Sequence, residues 1–173
     1  MPIINAFPAA VEKKKDYFGF SFPSSMVTYS DGFITEIKSY QSEFTAKMKE
    51  VNEVVLQKCA SIGVEAFSSC SNLTTISAKE CTYIGYGAFY GCASLTSISF
   101  PKCVTIGGYA FDRCTNLTAA SFPECTSIGD QAFTGCSNLI EIYFPKFSST
   151  LYGYAFNGCS KLTTASFPKC VAI

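Results

Sequence analysis

The stretch AFYGCASLTSISFPK, residues 88–102, decides the fold because variants of it recur along the chain at an almost constant interval. Every copy opens on an Ala-Phe pair, and a cysteine and a leucine follow the phenylalanine after three and six residues. The step between successive phenylalanines is twenty-two positions, and the last step is one position longer. They are Phe67, Phe89, Phe111, Phe133 and Phe156. Such a period predicts a solenoid in which each copy forms one coil.

Apolar and hydroxyl side chains alternate within the second half of each copy, as in a short strand with one buried face. In this copy Leu95, Ile98 and Phe100 are expected to point inward, and Ser97 and Ser99 outward. The proline that follows ends the strand pairing, because it has no N–H to donate. A single coil cannot bury its own apolar edge, so the coils are expected to stack into a parallel sheet over a continuous core.

The remainder of the copy is predicted to turn the chain back toward the next strand. Phe111 and Cys114 lie three residues apart in the Ala-Phe-x-x-Cys segment, which is expected to form a short helical turn with both side chains on one side. Gly107 and its equivalents predict a turn that a Cβ atom would hinder. The same register extends back to Val51, and residues 1–50 do not follow it.

The unit A-F-x-x-C-x-x-L-x-x-I-x-F-P resembles the BspA-like class of bacterial leucine-rich repeats, and the resemblance covers residues 51–173. It implies a leucine-rich-repeat solenoid of about five to six coils, each of about 22–23 residues. Short parallel β-strands are expected on the concave face, with turns and short helical segments on the convex face. Residues 1–50 are expected to form a non-repeat N-terminal extension and capping segment, in which Ile34 and Ile37 belong to a degenerate capping strand.

All ten cysteines lie in the repeats, and three interpretations of them compete. Equivalent cysteines of adjacent coils would be roughly 5 Å apart, within reach of a disulfide. Metal binding is a second interpretation, but the sequence has no C-x-x-C pair and no histidine. The third is that each cysteine is a small buried hydrophobe in a core column. Phe147 occupies one cysteine position, which favours the packing interpretation.

The composition argues against several function classes. Without histidine the chain lacks the commonest general base and the usual partner of a cysteine nucleophile, so no catalytic residue, cofactor or metal is predicted. Thirteen basic and thirteen acidic side chains give no net charge, which argues against nucleic-acid binding. No apolar run approaches the roughly 18 residues that a membrane span needs. The start MPIINAFPAAVEKKK also lacks the order of charges that marks a secretory signal.

Two surfaces remain as candidates for ligand or partner binding. The first is the outward face of the strands, where Tyr143 is the expected anchor because tyrosine is favoured at interfaces. Its candidate residues are Ser97, Ser99, Ser121, Glu141, Tyr143 and Ser166. The second lies on the turns, where the candidate residues are Tyr86, Tyr90, Tyr109 and Tyr154. The alternative is that the first set is a plain polar sheet face and that these tyrosines merely cover the edge of the core.

The resemblance implies a non-catalytic recognition or adhesion module that presents its surface to a protein or glycan ligand. It is expected outside the cell or in a virion, since the start and the repeat type also resemble phage-tail-associated proteins. A tail or baseplate appendage and a cytoplasmic interaction scaffold are the alternatives. The end at Val171-Ala172-Ile173 carries no polar cap. Self-association or a larger assembly is therefore predicted through this end or through the N-terminal segment.

Overall fold

The computed structural model describes residues 3–6, 27–30, 33–38, 49–151 and 153–170. Within these residues the chain forms thirteen strands and no helix. The strands are β1 (Ile3–Ala6), β2 (Val27–Ser30), β3 (Phe33–Ile37), β4 (Glu53–Leu56), β5 (Ser61–Ile62), β6 (Thr75–Ser77), β7 (Tyr83–Ile84), β8 (Ser97–Ser99), β9 (Thr105–Ile106), β10 (Ala119–Ser121), β11 (Ser127–Ile128), β12 (Glu141–Tyr143) and β13 (Thr164–Ser166).

The strands form two sheets that run along the solenoid. The first sheet has the order β1-β4-β6-β8-β10-β12-β13, and the second has the order β11-β9-β7-β5-β3-β2. Pairing between successive coils is parallel and its register is constant, so that Ser97 lies opposite Ala119 and Ala119 lies opposite Glu141. Because the register is constant, equivalent residues of successive coils form columns. This architecture confirms the predicted leucine-rich-repeat solenoid with short parallel strands.

The first-sheet strands have the predicted inward and outward faces. Leu95, Ile98 and Phe100 are buried, and Ser97 and Ser99 are exposed. This alternation follows from the two-residue period of a strand, because the hydroxyl side chains remain in water when the apolar ones enter the core. The outward side chains therefore form a surface that takes no part in core packing.

Two columns of stacked phenylalanine rings fill the centre of the solenoid. Their centroids lie 5.1 to 5.4 Å apart in the first column and 5.2 to 5.8 Å apart in the second. Rings of neighbouring columns are inclined to each other by 48° to 70°, as edge-to-face pairs are. The first column contains Phe67, Phe89, Phe111, Phe133 and Phe156; the second contains Phe100, Phe122, Phe144 and Phe167.

The predicted short helical segments are wrong, because this part of the coil forms a series of reverse turns. The N–H of Tyr90 donates to the carbonyl of Gly87 in its own coil at 2.9 Å. The N–H of Phe89, between them, instead donates to the carbonyl of Ala110 in the next coil at 2.8 Å. A helix needs consecutive N–H groups to bond within their own segment, and here alternate groups are used to join the coils.

Left-handed backbone at two positions of most coils also prevents a helix. One position precedes the Ala-Phe pair, and the other precedes the cysteine that follows it. Residues with L side chains rarely hold this conformation in succession, and a right-handed helix cannot pass through it. The left-handed residues are Glu65, Ser69, Gly87, Gly91, Tyr109, Arg113, Gln131, Gly135, Gly153 and Gly158.

A column of glycines lies where the second sheet gives way to the turns. A Cβ atom on Gly107 would lie 2.6 Å from the carbonyl carbon of Gly85, which belongs to the preceding coil. A Cβ atom on Gly85 would likewise lie 2.6 Å from the carbonyl carbon of Gly63. The predicted need for glycine is therefore correct, but its cause is the close approach of neighbouring coils.

The cysteines occupy two core columns, as the packing interpretation predicted. None of the ten, which all lie in the described residues, forms a disulfide, and eight of them are buried. The thiol of Cys92 donates to the carbonyl of Phe67 at 3.0 Å, and that of Cys114 to Phe89 at 3.3 Å. Phe147 is buried at the cysteine position that it takes over.

The described part of the N-terminal segment lies against the first coil. Strand β3 pairs with β5 in parallel and with β2 in antiparallel orientation, and β1 pairs with β4. Ile34 and Ile37 are buried, and Ile37 lies opposite Ile62 in the second sheet. Both residues, which were expected in a degenerate capping strand, lie in β3 of the second sheet. The division of the chain at residue 50 stays a prediction.

Candidate recognition surface

The outward positions of the first sheet form two parallel rows of side chains. In one row Ser99, Ser121, Tyr143 and Ser166 lie opposite one another on consecutive strands. In the other row Ser97, Ala119, Glu141 and Thr164 are neighbours in the same way. The structure therefore brings all six predicted sheet-face residues onto one surface.

A shallow groove of about 330 Å³ lies on this surface across β10, β12 and β13. Small side chains form its floor beside two large ones, since Ala119 pairs with Glu141 and Ser121 pairs with Tyr143. Tyr143 remains 48% exposed although it stands on a strand that is paired on both edges. The outward residues that line the groove are Ala119, Ser121, Glu141, Tyr143, Thr164 and Ser166. Ser97 and Ser99 lie one strand away, on β8.

The charge on these two rows is negative. Among the described first-sheet positions that face outward from β4 to β13, the only charged side chains are the carboxylates of Glu53 and Glu141. The strands β6, β8 and β10 separate them, which corresponds to roughly 19 Å at ordinary strand spacing. Glu141 is therefore an isolated carboxylate beside an exposed aromatic ring.

Ile140 belongs to the same surface and was not predicted from the sequence. The equivalent position is asparagine in the first coil and threonine in the other four, and each threonine hydroxyl donates to a carbonyl of the preceding coil. Thr118 donates in this way to Thr96 at 2.9 Å, and Thr163 donates to Ile140 at 3.3 Å. Ile140 cannot do so and is 47% exposed next to Glu141. The departure from threonine was the sequence feature that could have revealed it.

The four predicted turn tyrosines do not form one group. Tyr86 and Tyr109 meet with their ring centroids 5.3 Å apart, and Gln131 Nε2 donates to the Tyr109 hydroxyl at 2.5 Å. Asp130 accepts from the N–H of Tyr154 at 3.2 Å and from Gln131 at 3.4 Å. These residues form what we call the tyrosine ridge: Tyr86, Tyr109, Asp130, Gln131 and Tyr154.

Tyr90 lies on a different part of the turns. The guanidinium of Arg113 stands 5.6 Å above its ring centroid, which is the geometry of a cation–π contact. The neighbouring Asp112 is only 6% exposed, and its Oδ1 has no hydrogen-bond partner. Burial raises the pKa of Asp112 above its ordinary value of 3.8. This cluster is separate from both the groove and the tyrosine ridge.

The buried thiols are poorly suited to nucleophilic chemistry. Burial raises the pKa of Cys59, Cys70 and Cys125 to about 12 and that of Cys81 to about 11, from an ordinary value of 9.0. The reactive species is the thiolate, which is scarce at neutral pH when the pKa is so high. These four cysteines therefore act as core residues.

Two further features are absent from the described part of the chain. No three or more carboxylates and cysteines there are grouped so that they could hold a metal ion. No helix of sufficient length and hydropathy to cross a membrane occurs among these residues.

Comparison with known proteins gives matches to bacterial leucine-rich repeat proteins. Residues 35–163 match the family model "BspA type Leucine rich repeat region" with six copies. A comparison with curated proteins gave no match.

Solved structures show the same architecture. A leucine-rich repeat protein from Eubacterium ventriosum is 25% identical over 82% of this chain, with a TM-score of 0.67, and one from Bacteroides ovatus is 26% identical over 79%, with a TM-score of 0.59. This chain spans only 39% and 41% of those two chains. The T. pallidum leucine-rich repeat protein is 22% identical over 83% of this chain and 80% of its own, with a TM-score of 0.58, and shows the fold alone.

Proteins with this repeat are typically non-catalytic binding modules. The family model covers most of the sequence and includes the candidate surface except for Thr164 and Ser166. The repeat unit, the constant register of the strands and the solved structures agree on one assignment. The chain belongs to the family of BspA-type leucine-rich repeat proteins.

Proposed function

We propose that this chain is a recognition module that binds a protein ligand on the outward face of the first sheet, centred on Glu141 and Tyr143. The observation that carries the proposal is the groove across β10, β12 and β13, where these two side chains rise above alanine and serine neighbours. Elsewhere on the described rows the outward residues are mostly small and polar. A ligand can therefore gain specific contacts mainly at this one place.

The physical basis of the proposal is that a large exposed side chain, Tyr143, is carried by a rigid backbone. Strands β10, β12 and β13 are fixed by pairing on both edges of β12, so the backbone under Tyr143 needs little ordering upon binding. A tyrosine offers a large apolar area and a hydroxyl at a small entropic cost. Ile140 adds exposed apolar area on the same edge. Tyr143 is therefore the proposed anchor, and Glu141 selects ligands that carry a positive charge.

A display library of extracellular protein fragments, panned against the immobilised chain, tests this proposal. We expect enriched fragments that bind the wild-type chain and bind Tyr143→Ala or Glu141→Lys at least about tenfold more weakly, a change of about 1.4 kcal/mol. Tyr83→Ala is the matched control, since Tyr83 is similarly exposed at 43% but lies on the second sheet. Enriched fragments that do not distinguish Tyr143→Ala from Tyr83→Ala would reject the sheet face as the binding surface.

The extracellular or virion location, the adhesion or tail role and self-association stay predictions. The last described coil contains Phe156, Leu162 and Phe167, which are only partly buried, while residues 171–173 lie outside the described part. Light scattering of the purified chain measures self-association directly. We expect a mass above 18.7 kDa if this end mediates it, whereas a monomer at all concentrations contradicts that role.

A further inference from the structure

The tyrosine ridge lies on the turn side of the solenoid, away from the outward rows of the first sheet. It combines two contacting aromatic rings with a carboxylate and an amide that are already hydrogen-bonded to one another. Tyr86 is 49% exposed and Tyr154 is 70% exposed, so both aromatic side chains are accessible to a ligand. We propose that the tyrosine ridge binds the flat face of a β-linked hexopyranose oligosaccharide. The proposal does not depend on the protein site of the first sheet.

Two side chains of the tyrosine ridge, those of Tyr86 and Asp130, pack over glycines of the next coil. The ring of Tyr86 lies over Gly108, where a Cβ atom would be 3.5 Å from the ring carbon Cδ2. The carboxylate of Asp130 occupies the space above Gly153, where any Cβ atom would collide with it. At this position of the coil, a residue with a large side chain thus alternates with glycine from one coil to the next. Because these two side chains are already packed, binding costs little of their side-chain entropy.

The polar groups of the tyrosine ridge form one edge beside the rings. Gln131 Nε2 joins the hydroxyl of Tyr109 to Oδ2 of Asp130, and Oδ1 of Asp130 accepts the N–H of Tyr154. Carboxylate and hydroxyl oxygens keep further lone pairs after these bonds are made. They can therefore accept hydrogen bonds from several hydroxyl groups of a ligand. A row of acceptors beside aromatic faces matches the edge and the face of a sugar ring.

The backbone at the tyrosine ridge has no free edge for an extended peptide. The N–H groups of Glu65, Gly87 and Tyr109 donate to carbonyls of the following coil at 2.8, 2.9 and 3.0 Å. A peptide that adds a strand needs unpaired N–H and carbonyl groups, so that mode of recognition is excluded at these residues. Recognition must therefore use ring faces and polar side chains. A pyranose with equatorial substituents presents a flat face of C–H groups, which suits the negative face of an aromatic ring.

Titration of the complete chain with cellohexaose and with chitohexaose, followed by saturation-transfer NMR and calorimetry, tests the proposal. We expect at least one of the two to bind, with saturation transferred to the sugar ring protons. Tyr86→Ala is expected to weaken binding at least about tenfold, while Tyr86→Phe retains it because the ring face remains. Gly108→Val is expected to weaken binding as well, because its side chain displaces the Tyr86 ring without removing it.

Two controls keep this result separate from the protein site. Tyr83→Ala and Tyr143→Ala are expected to leave sugar binding unchanged, since Tyr83 lies on the second sheet and Tyr143 in the groove. Thermal unfolding of each variant shows whether it is folded. Absence of binding for both sugars at about 10 mM, or equal binding by wild type and Tyr86→Ala, overturns the proposal. Selective capture of cationic peptides by the tyrosine ridge would also overturn it.

Discussion

Single residues in this solenoid are constrained mainly by the neighbouring coil. Gly107 has no requirement for a left-handed backbone, yet a side chain there would meet the backbone of Gly85 and Tyr86 at 2.6 Å. Ser69 shows the opposite case, since its backbone is left-handed with φ of 60° while Gly91 fills the equivalent place one coil later. Glycine is therefore favoured at one position of the coil because there is no room for a side chain, and at another because the backbone is left-handed.

Gly107→Ala should lower the free energy of unfolding by about 1–3 kcal/mol, because neither coil can move away without disturbing its own hydrogen bonds. Chemical denaturation measures this loss. Ser99→Ala in the same repeat is the control, and as an outward surface change it should stay within about 0.5 kcal/mol of wild type. Equal stability of the two variants would show that the glycine column is not packed as described.

Ser69→Gly should be more stable than Ser68→Gly, although the two changes are chemically identical. Ser69 carries a left-handed strain of about 1–2 kcal/mol that glycine relieves, whereas Ser68 has no such strain. Glycine also loses more entropy on folding, by about 0.5–1 kcal/mol, and both variants share this loss. Denaturant melts of the pair isolate the backbone effect. A more stable Ser68→Gly would contradict the assigned conformation.

At the scale of the element, the sequence allowed the strands to be predicted but not the turns. Leu95, Ile98 and Phe100 recur at equivalent positions with few changes, and a strand's two-residue period directly reports which side chains are buried. The spacing of Phe111 and Cys114 is common to a helix and to a reverse turn. The bonds that decide between them join residues of neighbouring coils, such as Phe89 and Ala110. Local spacing carries no information about such bonds.

The candidate site was predictable in part for the same reason. Glu141 and Tyr143 depart from a serine-rich pattern at outward strand positions, so a change of residue type was visible. Ile140 departs from a threonine whose hydroxyl bonds to the previous coil, and that role is evident only when coils are stacked. The ring contact between Tyr86 and Tyr109 likewise depends on stacking.

The cysteine columns predict loss of stability at high pH. Burial raises the pKa of seven thiols above 9.0: those of Cys59, Cys70, Cys81, Cys92, Cys103, Cys114 and Cys125. Above pH 9.0 the unfolded chain releases these protons while the folded chain keeps them, so unfolding becomes more favourable. From about one pH unit below 9.0 downward, both states are almost fully protonated and this stability is present.

Each thiol lowers the free energy of unfolding by about 1.4 kcal/mol per pH unit over this range. The combined loss from seven thiols becomes larger than a typical free energy of unfolding once the pH reaches about 10 to 11. Thermal unfolding in reductant at about pH 7, 8 and 10.5 measures the effect. The midpoint should be similar at the first two values and fall steeply at the third. Full recovery at pH 7 is the control for chemical damage. A constant midpoint would contradict thiol burial in the folded state.

At the scale of the whole molecule, each coil from the Phe67 repeat onward contacts mainly the coils before and after it. Stability of such a protein is approximately the sum of terms from coils and from the contacts between neighbours. Removal of one whole repeat should therefore leave the columns in register. Removal of half a repeat should not, even when the cysteines remain evenly spaced.

Deletion of residues 89–110 joins Ala88 to Phe111 and removes one complete repeat. We expect a folded chain with a lower unfolding midpoint, measured by circular dichroism. The control deletion of residues 89–99 leaves the even spacing between Cys81 and the next cysteine intact but puts Phe100 where Phe89 was. It should fail to fold cooperatively. Similar melting of both deletions would contradict a register set by the phenylalanine columns.

The backbone bonds between coils run along the solenoid axis, on both sheets and on the turn side. A tensile force applied to the two chain termini therefore pulls on the bonds of the terminal coil before it reaches those of the next coil. That coil can detach while the others keep their bonds. Each detachment releases one repeat, or roughly 75 Å of extended chain. The solenoid would then lengthen under load in equal steps, and each step would correspond to the unfolding of one repeat.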